Sequence, residues 1–266
     1  MEKTITFLHS GDMGDLIAGM CAVKEVCERD KAKAIIVIDT TGGFEANPEI
    51  ISNVIRTQTR GNGLKLRDHG FDFLYPLLKC QPYVADAVKW KKDTKIDINL
   101  NAFRIHFMNV DKQKKTNNNL VFLQQIAAGL EFGYKGPWLS AFVNDTRHGI
   151  VVARSTRFQC SHILYEGLEK NILKNGRFIG TDFEAAVYKD AFGQCPPVAP
   201  VHNALDAAKE IVSASTVIVN STVFYWIAVG LGHPNIIHEF SPDVPCSYFP
   251  NQNPPIKYVN GRRILK

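Results

Sequence analysis

The first residues suited to chemistry lie in the segment HSGDMGDL, which begins at His9. It follows a short β-branched and aromatic run, Thr4–Leu8. Gly11 and Gly14 allow a tight turn, and the backbone N–H groups at the start of the following helix can face a ligand. Asp15 is either a helix cap that complements the helix dipole or a general base that takes a proton from a hydroxyl.

A second segment combines two arginines with two hydroxyls. After the strand-like run GIVVA, the chain reads Arg154, Ser155, Thr156 and Arg157. Arginine binds phosphate oxygens bidentately and hydroxyls add neutral donors, so this order is typical of a diphosphate clamp. The alternative interpretation is a solvated, charged loop.

A third segment, FIGTDFEAA, is a glycine turn between a strand and a helix. Gly180 and Thr181 allow a ligand to approach the backbone. Glu184 either accepts hydrogen bonds from ribose hydroxyls or only complements the helix dipole.

A fourth segment, VIVNSTVFYW, ends a buried strand on polar residues and begins an apolar helix. Asn220, Ser221 and Thr222 occupy the turn. Polar groups there either cap the helix or hold a phosphate, and both uses depend on the same backbone N–H groups.

Motifs for metal ions and for other nucleotide chemistries are missing from the sequence. It has no D-x-D pair, no P-loop, no G-x-S-x-G elbow, and no histidine, cysteine and carboxylate cluster at metal-ligand spacing. The six cysteines include no C-x-x-C pair, which favours buried, reduced thiols. We therefore expect chemistry that needs neither a metal ion nor a bound cofactor.

The elements that must position these residues alternate between strands and helices. Short apolar runs, glycine turns and amphipathic stretches predict βαβ units with parallel strands. The alternation stops at a glycine- and proline-rich stretch over 133–149 and then begins again. We predict an α/β protein with two Rossmann-like domains, 1–140 and 146–250, that face each other across a cleft. A proline-rich, irregular tail over 251–266 is expected to fold back on the first domain.

Length and composition fit this organisation. A chain of 266 residues suits two domains, and 45% hydrophobic with 21% charged residues is ordinary for a globular protein. No stretch offers the ~18 apolar residues of a membrane-spanning helix, and the N-terminus lacks a signal-peptide pattern. These features predict a cytoplasmic protein. The net charge of +5 suits an anionic partner, either a nucleotide diphosphate or nucleic acid.

Taken in order, several segments resemble the heptosyltransferase-like glycosyltransferases of the GT-B fold, especially their small phage and bacterial relatives. The matching segments are HSGDMGDLI, LYPLLKCQPYVADAVKW, INLNAFR, GPWL, IVVARSTRFQ, FIGTDFEAAVYKDAFG and VIVNSTVFYWIAVGLGHPNIIHE. The resemblance implies transfer of a sugar from a nucleotide-sugar to an acceptor hydroxyl, with inversion and without a metal. A phage-encoded member would act in the host cytoplasm.

The resemblance also assigns roles to residues. The family's catalytic base, the aspartate of the N-terminal G-D pair, falls on Asp15. The family contacts its donor through residues after the first C-terminal strand, the acid of a G-x-x-x-E loop and the last strand-to-helix turn. With the N-terminal glycine turn, the predicted donor-binding residues are Ser10, Gly14, Arg154, Ser155, Thr156, Arg157, Gly180, Thr181, Glu184, Asn220, Ser221 and Thr222.

The last of these turns departs from the family pattern. Where the family usually has N-D-S-G, this chain reads Asn220-Ser221-Thr222-Val223, so the aspartate and the glycine are missing. A second function therefore stays open: a non-catalytic protein that binds a nucleotide or nucleotide-sugar in order to sequester it or to regulate. A GT-B-like sugar epimerase, which converts the donor without an acceptor, is a third.

The sequence leaves two acceptors open. A glycan or lipid-linked sugar fits the family, and a hydroxymethylated base in phage DNA fits the phage-like relatives and the basic charge. DNA binding needs a continuous basic face, because phosphate contacts dominate such affinity. The candidate residues for this face are Lys89, Lys91, Lys92, Lys112, Lys114 and Lys115.

Overall fold

The computed structural model describes residues 2–41, 66–104, 119–131, 133–142, 148–156, 159–161, 169–240, 245–247, 256–260 and 262–263. The chain divides into two compact units, Met1–Trp138 and Leu139–Lys266. Each unit is built on a parallel sheet, so the predicted α/β class is confirmed. The boundary between the units falls inside the stretch 133–149 that the sequence marks as a linker.

The described part of the first unit contains four parallel strands in the order β3-β2-β1-β4. They are β1 (Thr4–His9), β2 (Lys33–Ile38), β3 (Val84–Lys89) and β4 (Ile98–Asn99), with helices α1 (Met13–Asp30), α2 (Asp68–Lys79) and α3 (Leu120–Ala127). The chain moves outward from β1 to β3 and then returns to pair β4 with the other side of β1. In open parallel sheets, ligands bind outside the carboxyl ends of the strands where the order reverses, here between β1 and β4.

Helix α1 is the main covering element of this sheet. It packs against β1, β2 and α3, and its apolar residues Leu16, Ile17 and Met20 are fully buried. Each such side chain contributes roughly 1.5–3 kcal/mol by leaving water. The end of the unit is fixed to α1 by Trp138, whose Nε1–H donates to the backbone oxygen of Ile17 at 2.9 Å. This burial holds the N-terminal end of α1 in a constant place beside β1.

The described part of the second unit contains five parallel strands in the order β10-β9-β8-β5-β7, and a two-stranded ribbon of β6 and β11. The strands are β5 (His148–Ala153), β6 (Cys160–Ser161), β7 (Gly176–Phe178), β8 (Ala214–Asn220), β9 (Ile236–Phe240), β10 (Lys257–Asn260) and β11 (Arg262–Arg263). The helices are α4 (Glu169–Asn175), α5 (Asp182–Phe192), α6 (Ala204–Ser213) and α7 (Val223–Gly230). Here the strand order reverses between β5 and β8.

The interpretation of 251–266 as an irregular tail is wrong for its described residues. Strand β10 pairs in parallel with β9, with Lys257 opposite Ile237, and β11 pairs with β6. Both partners belong to the second unit, so the described part of the tail completes that unit's sheets. The run KYVN is too short to predict a strand by its pattern alone, and the neighbouring strand supplies the missing hydrogen-bond partners.

Candidate functional site

The carboxyl end of β1 is joined to the end of β4 by one buried amide. Asn101 lies in the 3₁₀ turn Leu100–Ala102 that follows β4, and its Oδ1 accepts hydrogen bonds from the N–H and the hydroxyl of Ser10, both at 3.0 Å. The structure therefore places Ser10, which the sequence predicts to bind a donor, in an internal contact that fixes the turn after β1.

Asp15 lies in the first turn of α1, as the third residue after the N-cap Asp12. Its Oδ2 accepts a hydrogen bond from the N–H of Asp12 at 3.4 Å, which completes a capping box. Gln124 of α3 donates to its backbone oxygen at 3.2 Å. The capping role considered from the sequence is thus present. The side chain of Asp15 is also 22% exposed, so its carboxylate is accessible from solvent as a general base must be.

Gly11 is the residue around which the side chains of His9, Asp15 and Arg104 meet. A Cβ at this position would lie 2.7 Å from Arg104 Nη2, 2.8 Å from Asp15 Oδ2 and 2.8 Å from His9 Cε1. Side chains essentially never approach a Cβ so closely, so glycine is what allows them to converge. The guanidinium and the carboxylate form an ion pair, with Arg104 Nη2 3.9 Å from Asp15 Oδ2.

His9 is a neutral, buried member of this cluster. The N–H of Gly11 donates to its Nδ1 at 3.0 Å, and burial together with the charge of Arg104 holds the pKa of His9 well below its ordinary value. The ring proton is therefore assigned to Nε2. Within the described residues, neither Nε2 of His9 nor Nδ2 of Asn101 has a hydrogen-bond partner. The cation beside Asp15 in this cluster is Arg104, at 3.9 Å.

The second unit has a similar contact at its own strand reversal, where a buried asparagine side chain holds the neighbouring strand end. We call this contact the Asn220 clamp. Asn220, the fully buried last residue of β8, accepts from the N–H of Ser155 at 3.1 Å and donates to the oxygen of Ser155 at 3.0 Å. Two predicted residues that are 65 positions apart are thereby brought together. Thr156 follows this clamp and is half-buried, whereas Arg157 lies outside the described residues.

We expect Asn220→Ala to lower the free energy of unfolding by about 1–3 kcal/mol, because it leaves the N–H and C=O of Ser155 without the amide. Asn235→Ala is the matched control, since that side chain donates to Thr216 Oγ1 and Ser215 O at an exposed position. Urea unfolding measures both. Equal effects in the two variants would contradict a special role for the clamp.

Arg154 follows the end of β5, as predicted, and its side chain is engaged inside the second unit. Its Nε and Nη2 donate to the two carboxylate oxygens of Glu239, at 2.7 and 3.0 Å, and both residues are buried. The guanidinium also lies 5.3 Å from the ring of Phe192. Because a bidentate partner and an aromatic ring already surround it, this geometry favours a structural role for Arg154 over the predicted phosphate contact.

The turn before α7 presents hydroxyls beside a helix N-terminus. Ser221 Oγ lies 3.1 Å from His238 Nε2 and 2.9 Å from Ser247 Oγ. Thr222 is the N-cap of α7, makes no side-chain cap, and its buried Oγ1 has no hydrogen-bond partner among the described residues. Burial lowers the pKa of His238 to about 3, so its ring is neutral. This end of α7 can therefore bind an anion through backbone N–H groups and hydroxyls.

In the loop after β7, Thr181 and Glu184 form hydrogen bonds with each other. Glu184 Oε2 accepts from the N–H and the hydroxyl of Thr181, at 2.8 and 3.0 Å, and the Thr181 hydroxyl accepts from the N–H of Glu184 at 3.2 Å. Gly180 belongs there because a Cβ would lie 2.7 Å from the ring of Phe178. The structure thus shows the capping alternative for Glu184, and the ribose contact stays a prediction, as does donor binding at Gly14, a half-buried residue of the first turn of α1.

Several side chains of these contacts had no role assigned from the sequence. The segment INLNAFR was noted, but its polar pair Asn101 and Arg104 was given no role. The only local signal is their spacing of three directly after a short strand. Glu239 and His238 were placed in a strand without a partner, because Glu239 lies 85 positions from Arg154 and His238 lies 17 from Ser221.

Of the predicted basic face, Lys89 is paired with a carboxylate, whereas Lys91 and Lys92 are exposed. Lys89 of the predicted basic face lies 2.9 Å from Asp68 and 4.0 Å from Asp72. Lys112, Lys114 and Lys115 are outside the described ranges.

In the part of the chain that the structure covers, no group of three or more His, Cys, Asp or Glu side chains could hold a metal ion. No helix there is long and apolar enough for a membrane span.

Comparison with known proteins shows similarity in structure alone. No protein-family model and no curated protein matches the sequence. The chain is similar to a glycosyl transferase family 9 protein from Veillonella parvula, at 12% identity, over 97% of this chain and 86% of that one, with a TM-score of 0.61. It is also similar to ADP-heptose lps heptosyltransferase II of E. coli, at 12% identity over 97% and 90%, with a TM-score of 0.56. The E. coli heptosyltransferase WaaC with ADP matches at 13% identity over 97% and 93%, with a TM-score of 0.53. Identities this low establish the fold only. The chain therefore has the α/β fold of these glycosyltransferases, with the two Rossmann-like units of the GT-B type.

Proposed function

We propose that this protein is a glycosyltransferase that moves a sugar from a nucleotide-sugar to an acceptor hydroxyl, with inversion and without a metal. The observation that carries the proposal is Asp15, a fixed and partly exposed carboxylate at the strand reversal of the first sheet. The fold supports it, because the structures that this chain resembles are glycosyltransferases, one of them with ADP.

In the proposed reaction, Asp15 takes the proton of the acceptor hydroxyl while the hydroxyl oxygen attacks the anomeric carbon. The bond from that carbon to the donor phosphate oxygen breaks at the same time, and the nucleoside diphosphate leaves with the electron pair. A single displacement of this kind inverts the anomeric centre. General-base assistance of this type contributes ~10²–10⁴-fold to the rate.

We assign the leaving diphosphate to the second unit, at the N-terminal end of α7. Backbone N–H groups, Ser221 and the Thr222 hydroxyl would stabilise the negative charge that develops there, which is where fixed donors accelerate transfer most. The Asn220 clamp on Ser155 supports this assignment, because it fixes the neighbouring loop after β5. Arg154 has no direct role in this version, since Glu239 occupies its guanidinium.

The first test is thermal stability with nucleoside diphosphates and nucleotide-sugars, beginning with ADP. A ligand that binds only the folded protein stabilises it by ~2.7 kcal/mol at a hundredfold excess over its Kd. We expect one nucleobase to raise Tm, and Thr222→Val to reduce this effect because it removes the hydroxyl and keeps the shape. Thr216→Val is the matched control on the same β8–α7 segment. If no nucleotide changes Tm, the donor site is not as proposed.

A non-catalytic nucleotide binder is the second candidate. The observation that favours it is Ser221. This serine occupies the position of an aspartate in the family that the sequence resembles, and its hydroxyl contacts His238 and Ser247. Tight nucleotide-sugar binding without transfer to any acceptor and without slow hydrolysis would support this candidate. If NMR instead shows that the sugar of the donor is converted without an acceptor, the protein is an epimerase.

For the acceptor we propose a glycan before a hydroxymethylated base of phage DNA. Lys89, one of the lysines of the predicted basic face, is already paired with Asp68. Duplex binding that weakens steeply with salt would reverse this order, because counterion release governs binding to DNA. We propose the cytoplasm as the place of action, on the sequence pattern alone.

A further inference from the structure

We propose that Arg104 is a positioning residue, which keeps the carboxylate of Asp15 ionised and oriented for proton transfer. This inference rests on the proposed function, in which Asp15 is the general base. It concerns a residue to which neither the sequence motifs nor the resemblance assigned a role.

The guanidinium of Arg104 is held by its own surroundings. Its Nη1 donates to Oδ1 of Asn101 at 3.5 Å, and its Cζ lies 5.2 Å from the ring centre of Phe103. The side chain is only 7% exposed. Asn101 in turn joins the ends of β4 and β1 through Ser10. The cation therefore has a position set by the sheet, unlike a surface arginine that samples many rotamers.

Arg104 brings a positive charge to this cluster. Its Nη2 lies 3.9 Å from Asp15 Oδ2. The same carboxylate oxygen accepts the N–H of Asp12, and the ring of His9, which meets it around Gly11, has a pKa held well below its ordinary value by burial and by Arg104. An attraction at this distance is weakened less by water and salt than it would be at the surface, because the arginine is buried. An adjacent cation favours the ionised form of a carboxylate.

The separation also suits a base. A short bidentate contact, like that between Arg154 and Glu239, would occupy both carboxylate oxygens. At 3.9 Å, Arg104 orients the carboxylate by charge and leaves it able to accept a proton from the acceptor. Gly11 is required for this arrangement, because a Cβ there would separate Arg104 from Asp15.

The test compares Arg104→Gln, which removes the charge, with Arg104→Lys, which keeps it. We expect R104Q to lower kcat about tenfold, less than the ~10²–10⁴-fold that the general base itself contributes, with little change in the KM for the donor. The acidic limb of its pH–rate profile should move to higher pH. R104K should restore most of kcat and the position of that limb. A purely structural arginine would give equal losses in both variants and an unmoved limb, which would overturn the proposal.

A second measurement needs no turnover. NMR of the side-chain carboxyl carbons follows the titration of Asp15, whose signal is assigned by its loss in Asp15→Asn. We expect the midpoint to lie at higher pH in R104Q than in the native protein and R104K. An unchanged midpoint overturns the pairing whether or not transfer is observed. A moved midpoint in a protein without transferase activity supports the pairing and contradicts the proposed function. If R104Q does not fold, Arg104→Met removes the same charge and keeps the stem packed on Phe103.

Discussion

Asp15→Asn is expected to lower kcat for sugar transfer by ~10²–10⁴-fold while the Kd for the donor stays unchanged. Asparagine is nearly the same shape, and its side-chain oxygen can still accept the hydrogen bond from the N–H of Asp12 that the capping box needs. The substitution therefore removes the basic charge and keeps the cap. Steady-state transfer to a panel of acceptors, with donor Kd measured by calorimetry, separates the two quantities.

Asp12→Asn is the matched control, because Asp12 is a carboxylate of the same helix end and asparagine is an equally good N-cap. We expect turnover in this variant within a few-fold of the native value. If Asp15→Asn also turns over normally, Asp15 is a helix cap and nothing more. If neither variant nor the native chain transfers sugar but all bind the donor, the non-catalytic binder is the better proposal.

Glu239→Gln is expected to lower the free energy of unfolding by ~3–5 kcal/mol. Glu239 is fully buried and accepts two hydrogen bonds from Arg154, whose side chain is 3% exposed. Glutamine offers one neutral oxygen, so the buried guanidinium loses the opposite charge of this partner. This loss is large against the whole stability of a typical domain. Chemical denaturation followed by circular dichroism measures it.

Glu210→Gln provides the control, since Glu210 forms a similar pair with Arg177 at 3.1 Å, but that arginine is 47% exposed. Exposed pairs contribute ~0–1 kcal/mol, so we expect a small loss. If Glu239→Gln were as mild as this control, the guanidinium of Arg154 would not depend on its partner. The predicted phosphate contact of Arg154 would then become the better interpretation, and donor binding should fall in Arg154→Gln.

Much of the fold was predictable because its signals are local. The β-branched run predicted over Thr4–Leu8 is β1 with one residue added, Thr4–His9. The run 216–220 became β8, Ala214–Asn220. Since parallel strands place their carboxyl ends on one edge of a sheet, the polar residues that follow the strands were correctly expected at that edge in each unit. Strand β4, of two residues, and β10 were missed because so few residues carry no usable period.

The residues of the candidate site likewise include positions that local signals predict and contacts that they do not. The sequence by itself determined that Asp15, Asn220 and the turn before α7 lie at the ends of strands or helices. Such an end is predicted by a pattern of consecutive residues. Only the tertiary structure decided their partners. Arg104 reaches Asp15, and Glu239 reaches Arg154, across 89 and 85 positions of chain. Contacts of this kind depend on which strands become neighbours, and no local pattern of residue types encodes that choice.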